Sequence, residues 1–269
     1  MKIGILTDIH GDYETMQRVW AHLEALEVDR FICLGDLVVH GSHHNEVVDH
    51  FRARPDVPVI LGNHDIGATI DDGRLDGLRF FSQSSKENTL ACRSALRPEN
   101  REFLAQLPTY RLEGPVLYTH ATIEPPSEEA ISRMASLYGL EHPSHSAAGF
   151  LGNPFGLLRH EPAVKQAFEA MPEGIEVVIA GHTHRTRVHH WPAGKAVWCT
   201  DYPTERGIWD RPLELKRGDR YIINVGCTAQ LKYDFFPPVC AVFEPEEGLM
   251  WFHQLDDLRP PREIDWTGK

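Results

Sequence analysis

The stretch V59-I-L-G-N63-H64-D65 carries an apolar run through a glycine into three polar side chains. Four other stretches end in a similar way: I3-G-I-L-T-D8-I-H10, F31-I-C-L-G-D36, V116-L-Y-T-H120 and V177-V-I-A-G-H182-T-H184. Each is a short β-rich run followed at once by Asp, Asn or His. In open α/β sheets, ligands bind beyond the carboxyl ends of the strands. Five runs of this kind in one fold would bring their tips to one cleft. On an extended backbone, residues two apart point to the same face. Asp8 with His10, and His182 with His184, would then each aim two donors at one point.

The segments around these runs alternate. Lys2–Thr7 reads as a strand. Tyr13–Leu26 has Met16, Val19, Trp20, Leu23 and Leu26 at helical spacing. Arg30–Leu34 is a second strand. Glu46–Arg52 is a helix with Ser42 as candidate N-cap. Val57–Leu61 is a third strand. This βαβαβ order implies parallel strands with right-handed crossovers. Pro98 to Leu107 reads as a short helix stopped by Pro108, Pro115–Thr119 as a strand, Ala163–Ala170 as a helix and Glu176–Ala180 as a strand. Beyond Arg185 the pattern is hairpin-like, with runs at Arg187–Trp191, Ala196–Trp198, Tyr221–Val225, Val239–Phe243 and Leu249–Gln254. The chain is expected to be one domain over 1–269. A Pro-, Ser-, Gly- and His-rich insertion, about 121–162, would lie over the sheet. Its His142, His145 and His160 would line a lid or belong to a plain polar loop.

Composition bounds the function. At 269 residues, 42% hydrophobic and 25% charged, the chain is an ordinary globular protein. No apolar run approaches the roughly 20 residues of a membrane helix, and a cytoplasmic location is expected. Five dispersed cysteines without a C-x-x-C pair argue against a disulfide framework. The net charge of −12 repels polyanions. It does not exclude a phosphorylated substrate, because bound metal ions reverse the sign locally.

The strand-end set is Asp8, His10, Asp36, Asn63, His120, His182 and His184. Oxygen and imidazole donors without thiolate suit Mn, Fe, Zn, Ni or Co. Seven donors exceed the needs of one four-coordinate ion. With one bridging carboxylate they suit two ions about 3.5–4 Å apart, as in two-metal hydrolases. Each of these motifs alone also has a plain structural reading, G-N-H-D for instance because Asn and Asp populate turns. Their combination and order make the signal.

That series, D8-x-H10, G35-D36, G62-N63-H64-D65, T119-H120 and G181-H182-T-H184, resembles the calcineurin-like metallophosphoesterase superfamily, and most closely its small bacterial phosphoesterases. G35-D-L-V-V-H-G-S-H-H-N-E-V-V48 and I222-I-N-V-G226 resemble the same group. The resemblance implies an α/β fold, a four-layer αββα sandwich of two mixed β-sheets flanked by helices. It implies two divalent or trivalent metal ions, with Mn or Fe favoured. Asp8, His10, Asp36 and His184 would hold one ion. Asp36, Asn63, His120 and His182 would hold the other, with Asp36 bridging. The superfamily's protein-phosphatase branch has an Asp-Arg pair where this chain has Val39 and His40. The bidentate guanidinium grip on phosphate is therefore missing. His40 and Arg185 are candidate substrate contacts, weighed against an exposed loop histidine and a solvated charge.

His64 remains beside the ligands as candidate general acid toward the leaving-group oxygen. Asp65 is expected to hydrogen-bond its other ring nitrogen. The nucleophile would be a metal-bridging water ionised near neutral pH. The expected activity is hydrolysis of small phosphomonoesters, phosphodiesters or nucleotides. Hydrolysis of nucleotide pyrophosphates or dinucleoside polyphosphates is the alternative within enzymes. A non-catalytic protein-binding scaffold on the same fold is the alternative outside them, though such members typically lose ligands. A nuclease on polymeric nucleic acid is disfavoured by the charge and by the lack of a basic cluster with interleaved aromatics. The oligomeric state is open.

Overall fold

β1 (Ile3–Leu6) is buried along its whole length and sorts its side chains by alternation. Ile3 and Ile5 join a core between two sheets. Leu6 joins a second core under the helices. The same period of two recurs in β4 (Val116–Thr119). There Val116 and Tyr118 face the inter-sheet core and Leu117 faces outward. A strand apolar on both faces is covered on both faces.

The structure is a computed structural model that describes residues 1–70, 78, 81–121, 161–195, 199–201, 211–230 and 237–255. The 121–162 insertion therefore lies almost wholly outside the described residues, as do the run expected at Ala196–Trp198 and His142, His145 and His160.

The remaining strands are β2 (Arg30–Cys33), β3 (Tyr110–Glu113), β5 (Val177–Ala180), β6 (Arg187–Trp191), β7 (Cys199–Asp201), β8 (Leu213–Glu214), β9 (Arg220–Asn224), β10 (Val239–Glu244) and β11 (Leu249–Gln254). They form a five-stranded sheet, β2-β1-β10-β11-β8, and a six-stranded sheet, β3-β4-β5-β9-β6-β7. Both are mixed. β1 is parallel to β2, pairing Ile3 with Arg30, and antiparallel to β10. β4, β5 and β9 are parallel neighbours, and β6 returns antiparallel to β9.

Helices α1 (Tyr13–Ala25), α2 (His44–Arg52), α3 (Asn63–Thr69), α4 (Gln83–Ala95) and α5 (Pro98–Ala105) precede α6 (Glu161–Ala170). α1 buries Met16, Val19, Trp20 and Leu23, a stripe at i, i+3, i+4 and i+7. These pack with Leu6, Cys33 and Val242 on the outer face of the five-stranded sheet. α6 places Val164, Ala167 and Phe168 on Leu117, Val178 and Ile222, outside the other sheet. The layer order is αββα.

Three local expectations change. Val57–Leu61 is not a full strand. It makes one parallel bridge, Val59 to Cys33. Pro58 has no N–H to donate, and Leu61 N turns instead to Pro108 O at 2.7 Å. α2 is capped at His43 rather than Ser42, without a side-chain cap bond. α4 was not expected. Its apolar residues are too sparse for a helical period, and only Ser82, whose hydroxyl accepts from Ser85 N, marks its start. Among the described residues, no helix is long and apolar enough to cross a membrane.

Candidate metal centre

The carboxyl ends of β1, β2, β4 and β5, with the start of α3, carry the seven candidate donors. The backbone there is not extended as the spacing argument assumed. Asp8, His10, Asp36, His182 and His184 have φ of 53°, 51°, 54°, 67° and 56°. The donors sit on left-handed turns beyond the strands. Asp8 and His10 still converge, through turn geometry rather than pleat alternation, whereas His182 and His184 go to different clusters. Non-glycine residues adopt this region at a cost and cluster at functional sites.

Glycines make the close approach possible. A Cβ on Gly62 would run into the Asp36 carboxylate and its backbone nitrogen, and one on Gly181 into Thr7 Oγ1 and Asp8 Oδ2. Gly35, at φ 97°, leaves room for Gly62 N 2.7 Å from its would-be Cβ. The glycine before Asp36, Asn63 and His182 thus brings one donor loop against another.

Two clusters result. Ligand atoms of Asp8, His10 and His184 lie within 4.8 Å of one another, as do those of Asp36, His120 and His182. His10 Nε2 is 3.0 Å from His184 Nε2, and His184 Nε2 is 3.3 Å from Asp8 Oδ1. Asn63 Oδ1 is 3.1 Å from His120 Nε2 and joins the second cluster. Each carboxylate is anchored by donors of the protein, and His182 N also lies 3.2 Å from Asp8 Oδ1. Asp8 Oδ2 accepts from Thr7 Oγ1 at 2.7 Å and His182 N at 2.9 Å. Asp36 Oδ1 accepts from His64 N at 2.8 Å. Asp36 Oδ2 lies 3.3 Å from His120 Nε2 and 3.8 Å from His10 Nε2, facing both clusters.

The outer ring nitrogens are fixed as metal-ligating histidines require. His10 Nδ1 is 3.3 Å from Val38 O and His120 Nδ1 is 2.8 Å from Leu34 O, which turns both Nε2 atoms inward. Burial pushes His10 well below the ordinary histidine value and His182 down to about 3, with the His120 charge adding to the latter. Burial also opposes ionisation of Asp8 and Asp36, but the facing histidines outweigh it and both carboxyls lie low. Burial lowers His120 too, yet Asp36 overrides it and raises His120 to about 9. Ionised carboxylates, inward imidazole nitrogens and an amide oxygen fit two cations of borderline hardness.

Asp65 is placed differently from expectation. Its carboxylate does not serve His64. It accepts from Gly62 N (3.0 Å), Asp36 N (2.9 Å), Leu37 N (2.8 Å) and Val38 N (3.2 Å). It is a buried brace that ties the Asp36 loop to the first turn of α3. His64 Nδ1 is buried without a hydrogen-bond partner. Burial lowers His64 to about 4. Its ring packs edge-on to His10 at 5.2 Å and to Phe81 at 5.5 Å.

His40 joins this group, its ring 5.0 Å from His10 and 4.6 Å from His64. Arg185 is exposed on the turn after His184. His44 is buried, with a ring nitrogen 2.5 Å from where a Gly11 Cβ would be. Sequence reasoning missed Thr7, Asn88 and Asn224. Asn224 Nδ2 donates to Gly181 O and its Oδ1 accepts from Gly226 N, holding the His182 loop. The I222-I-N-V-G226 run was its visible signal.

A calcineurin-like phosphoesterase family model matches residues 1–186. A curated Methanocaldococcus jannaschii protein, itself uncharacterized, is 29% identical over 128 residues, 46% of this chain. The chain spans about half (51%) of the length of that curated relative. Among solved structures, a Sphaerobacter thermophilus metallophosphoesterase superposes with a TM-score of 0.65 at 22% identity, over 95% of this chain and 89% of that one. A hypothetical Pyrococcus horikoshii OT3 protein superposes with a TM-score of 0.57 at 14% identity, over 94% and 87%. At these identities the likeness is one of fold. The family match, in contrast, runs through every loop that carries a candidate donor, from Asp8 to His184, and the chain belongs to the calcineurin-like phosphoesterase family.

Proposed function

We propose that this protein hydrolyses small phosphate esters, monoesters, diesters or nucleotides, with two metal ions, Mn or Fe foremost. The observation that carries the reading is Asp36. One of its oxygens faces a histidine of each donor cluster, at 3.3 and 3.8 Å, a placement from which one carboxylate would serve both ions. Asp8, His10, Asp36 and His184 would hold one ion, and Asp36, Asn63, His120 and His182 the other. Two bound cations would polarise the phosphoryl group and ionise an attacking water near neutral pH.

The chain's own residues do the rest. His64 stands at the start of α3, with its backbone N–H on Asp36 Oδ1, and would donate a proton to the leaving oxygen. Burial keeps it neutral in the free protein. An anionic ester beside it supplies the charge that favours the protonated ring. His40 and Arg185 would meet the substrate's phosphate and outer groups. The net charge of −12 favours a small substrate over a nucleic-acid chain.

The test is hydrolysis of p-nitrophenyl phosphate and bis-p-nitrophenyl phosphate by metal-stripped protein titrated with Mn²⁺, beside Asp36→Asn. Turnover that needs metal and collapses in the variant supports the two-metal reading, and the faster ester assigns mono- or diesterase. No turnover and no bound metal would turn the reading to a non-catalytic scaffold.

A further inference from the structure

α4 supplies none of the candidate ligands, yet it reaches the site through one side chain. Asn88 Nδ2 lies 3.2 Å from His40 Nδ1. The His40 ring packs edge-to-face on two site imidazoles, at 63° to His10 and 69° to His64. His10 and His64 also meet edge-to-face, at 5.2 Å and 78°. The three rings close a triangle.

The backbone beneath His40 is held firmly. Val39 and His40 have φ of 74° and 71°, and Gly41 N donates to His10 O at 2.7 Å. A Cβ on Gly41 would lie 2.5 Å from that oxygen. Non-glycine residues persist in this region only where their surroundings over-determine them. Asn88 Nδ2 carries only N–H donors, so its place beside His40 Nδ1 bears on which ring nitrogen holds the proton. An amide N–H donating to Nδ1 makes that atom the acceptor and leaves the proton on Nε2. The loop D36-L-V-V-H-G-S-H43 contains no Lys or Arg, so its imidazoles are the side-chain N–H donors it offers an anion.

We propose that Asn88 is a positioning residue that holds His40 as the Nε2–H tautomer, so that His40 donates to a phosphate oxygen of the substrate. The identity of the anion rests on the phosphoesterase reading. The tautomer rests on geometry alone.

Two measurements separate these parts. In metal-stripped protein labelled with ¹⁵N-histidine, long-range ¹H–¹⁵N spectra should show His40 protonated at Nε2. Asn88→Leu, or Asn88→Ala should that variant fold better, should lose the pattern to a tautomer mixture. An Nδ1–H pattern in the wild type, or no change in the variants, overturns the positioning role. In Mn²⁺-loaded protein, calorimetry with inorganic phosphate should show about 10-fold weaker binding for Asn88→Leu and for His40→Ala, the scale of one hydrogen bond to a charged partner. The double variant should bind no more weakly than His40→Ala, because Asn88 acts through His40. On the aryl ester, KM should rise in Asn88→Leu with kcat little changed. Additive losses, or undiminished phosphate binding, overturn the phosphate contact. Absence of both turnover and bound metal in the wild type would sink the phosphoesterase reading, while the tautomer pattern would still be read in the metal-free protein.

Discussion

Three side chains in G62-N63-H64-D65 divide the work of one helix start. Asn63 faces the donor cluster, His64 the three-ring group, and Asp65 the backbone. Replacing His64 with Ala should lower kcat by about 100-fold on an ester with a poor leaving group. It should matter far less for p-nitrophenolate, which needs no proton, and two metals should stay bound. Equal losses on both esters would remove His64 from the acid role. Asp65→Asn should act on stability. Its amide nitrogen cannot accept, so two of the four backbone donors it now satisfies lose their acceptor. Each orphaned buried donor costs about 1–3 kcal/mol, visible as a lower urea midpoint with an unchanged slope. Gly62→Ala pushes against the Asp36 carboxylate and backbone. Metal affinity should fall about 10- to 100-fold, the range for disturbed support of a ligand. Mass-spectrometric metal content at limiting Mn²⁺ checks it, and two tightly held ions in the variant would contradict the argument.

At the level of elements, the two sheets are joined at one edge by a fork between side chains. Arg30 on β2, the edge of the five-stranded sheet, donates to both carboxylate oxygens of Glu113 on β3, the edge of the six-stranded sheet. Burial pushes the Glu113 carboxyl up, but its bonds from Arg30 and Arg111 outweigh this and hold it below the ordinary glutamate value. A carboxyl lowered on folding adds stability above its unfolded pKa, about 4.3, and loses it as pH falls through the lower folded value. Glu113→Gln should therefore unfold more easily than wild type at pH 7, with the gap closing below pH of about 4. Paired urea titrations at the two pH values measure it, and a gap independent of pH would assign the effect to packing. Element reading from sequence succeeded where burial enforced a period, as in β1, α1 and β4. It failed at α4, whose few apolar residues leave no stripe. It overcalled Val57–Leu61, where one proline divides the hydrogen bonds between a sheet and a neighbouring loop.

For the whole molecule, metal bound at the buried donor clusters would be coupled to stability. A ligand that binds only the folded chain adds about 2.7 kcal/mol at a concentration of 100 Kd. For a chain of this size that is a rise in Tm of roughly 5–10 °C. Mn²⁺ added to stripped protein should produce it in a thermal melt, and Asp36→Asn should abolish most of it. A wild-type Tm indifferent to Mn²⁺ would deny that the clusters are a metal centre.

The sequence by itself determined the donor chemistry and the chain segments that deliver it. Five apolar runs ending in Asp, Asn or His can be recognised because strand burial and metal ligation each demand residue types that few substitutes satisfy. The glycines beside the donors are visible for the same reason. Only the tertiary structure decided that Asp8, His10, Asp36, His182 and His184 stand on left-handed turns, that Asp65 serves four backbone N–H groups instead of His64, and that Asn88 reaches His40 across 48 residues of chain. A side chain's hydrogen-bond partner depends on which loops lie within about 3 Å, and that distance is set by packing between segments far apart in sequence.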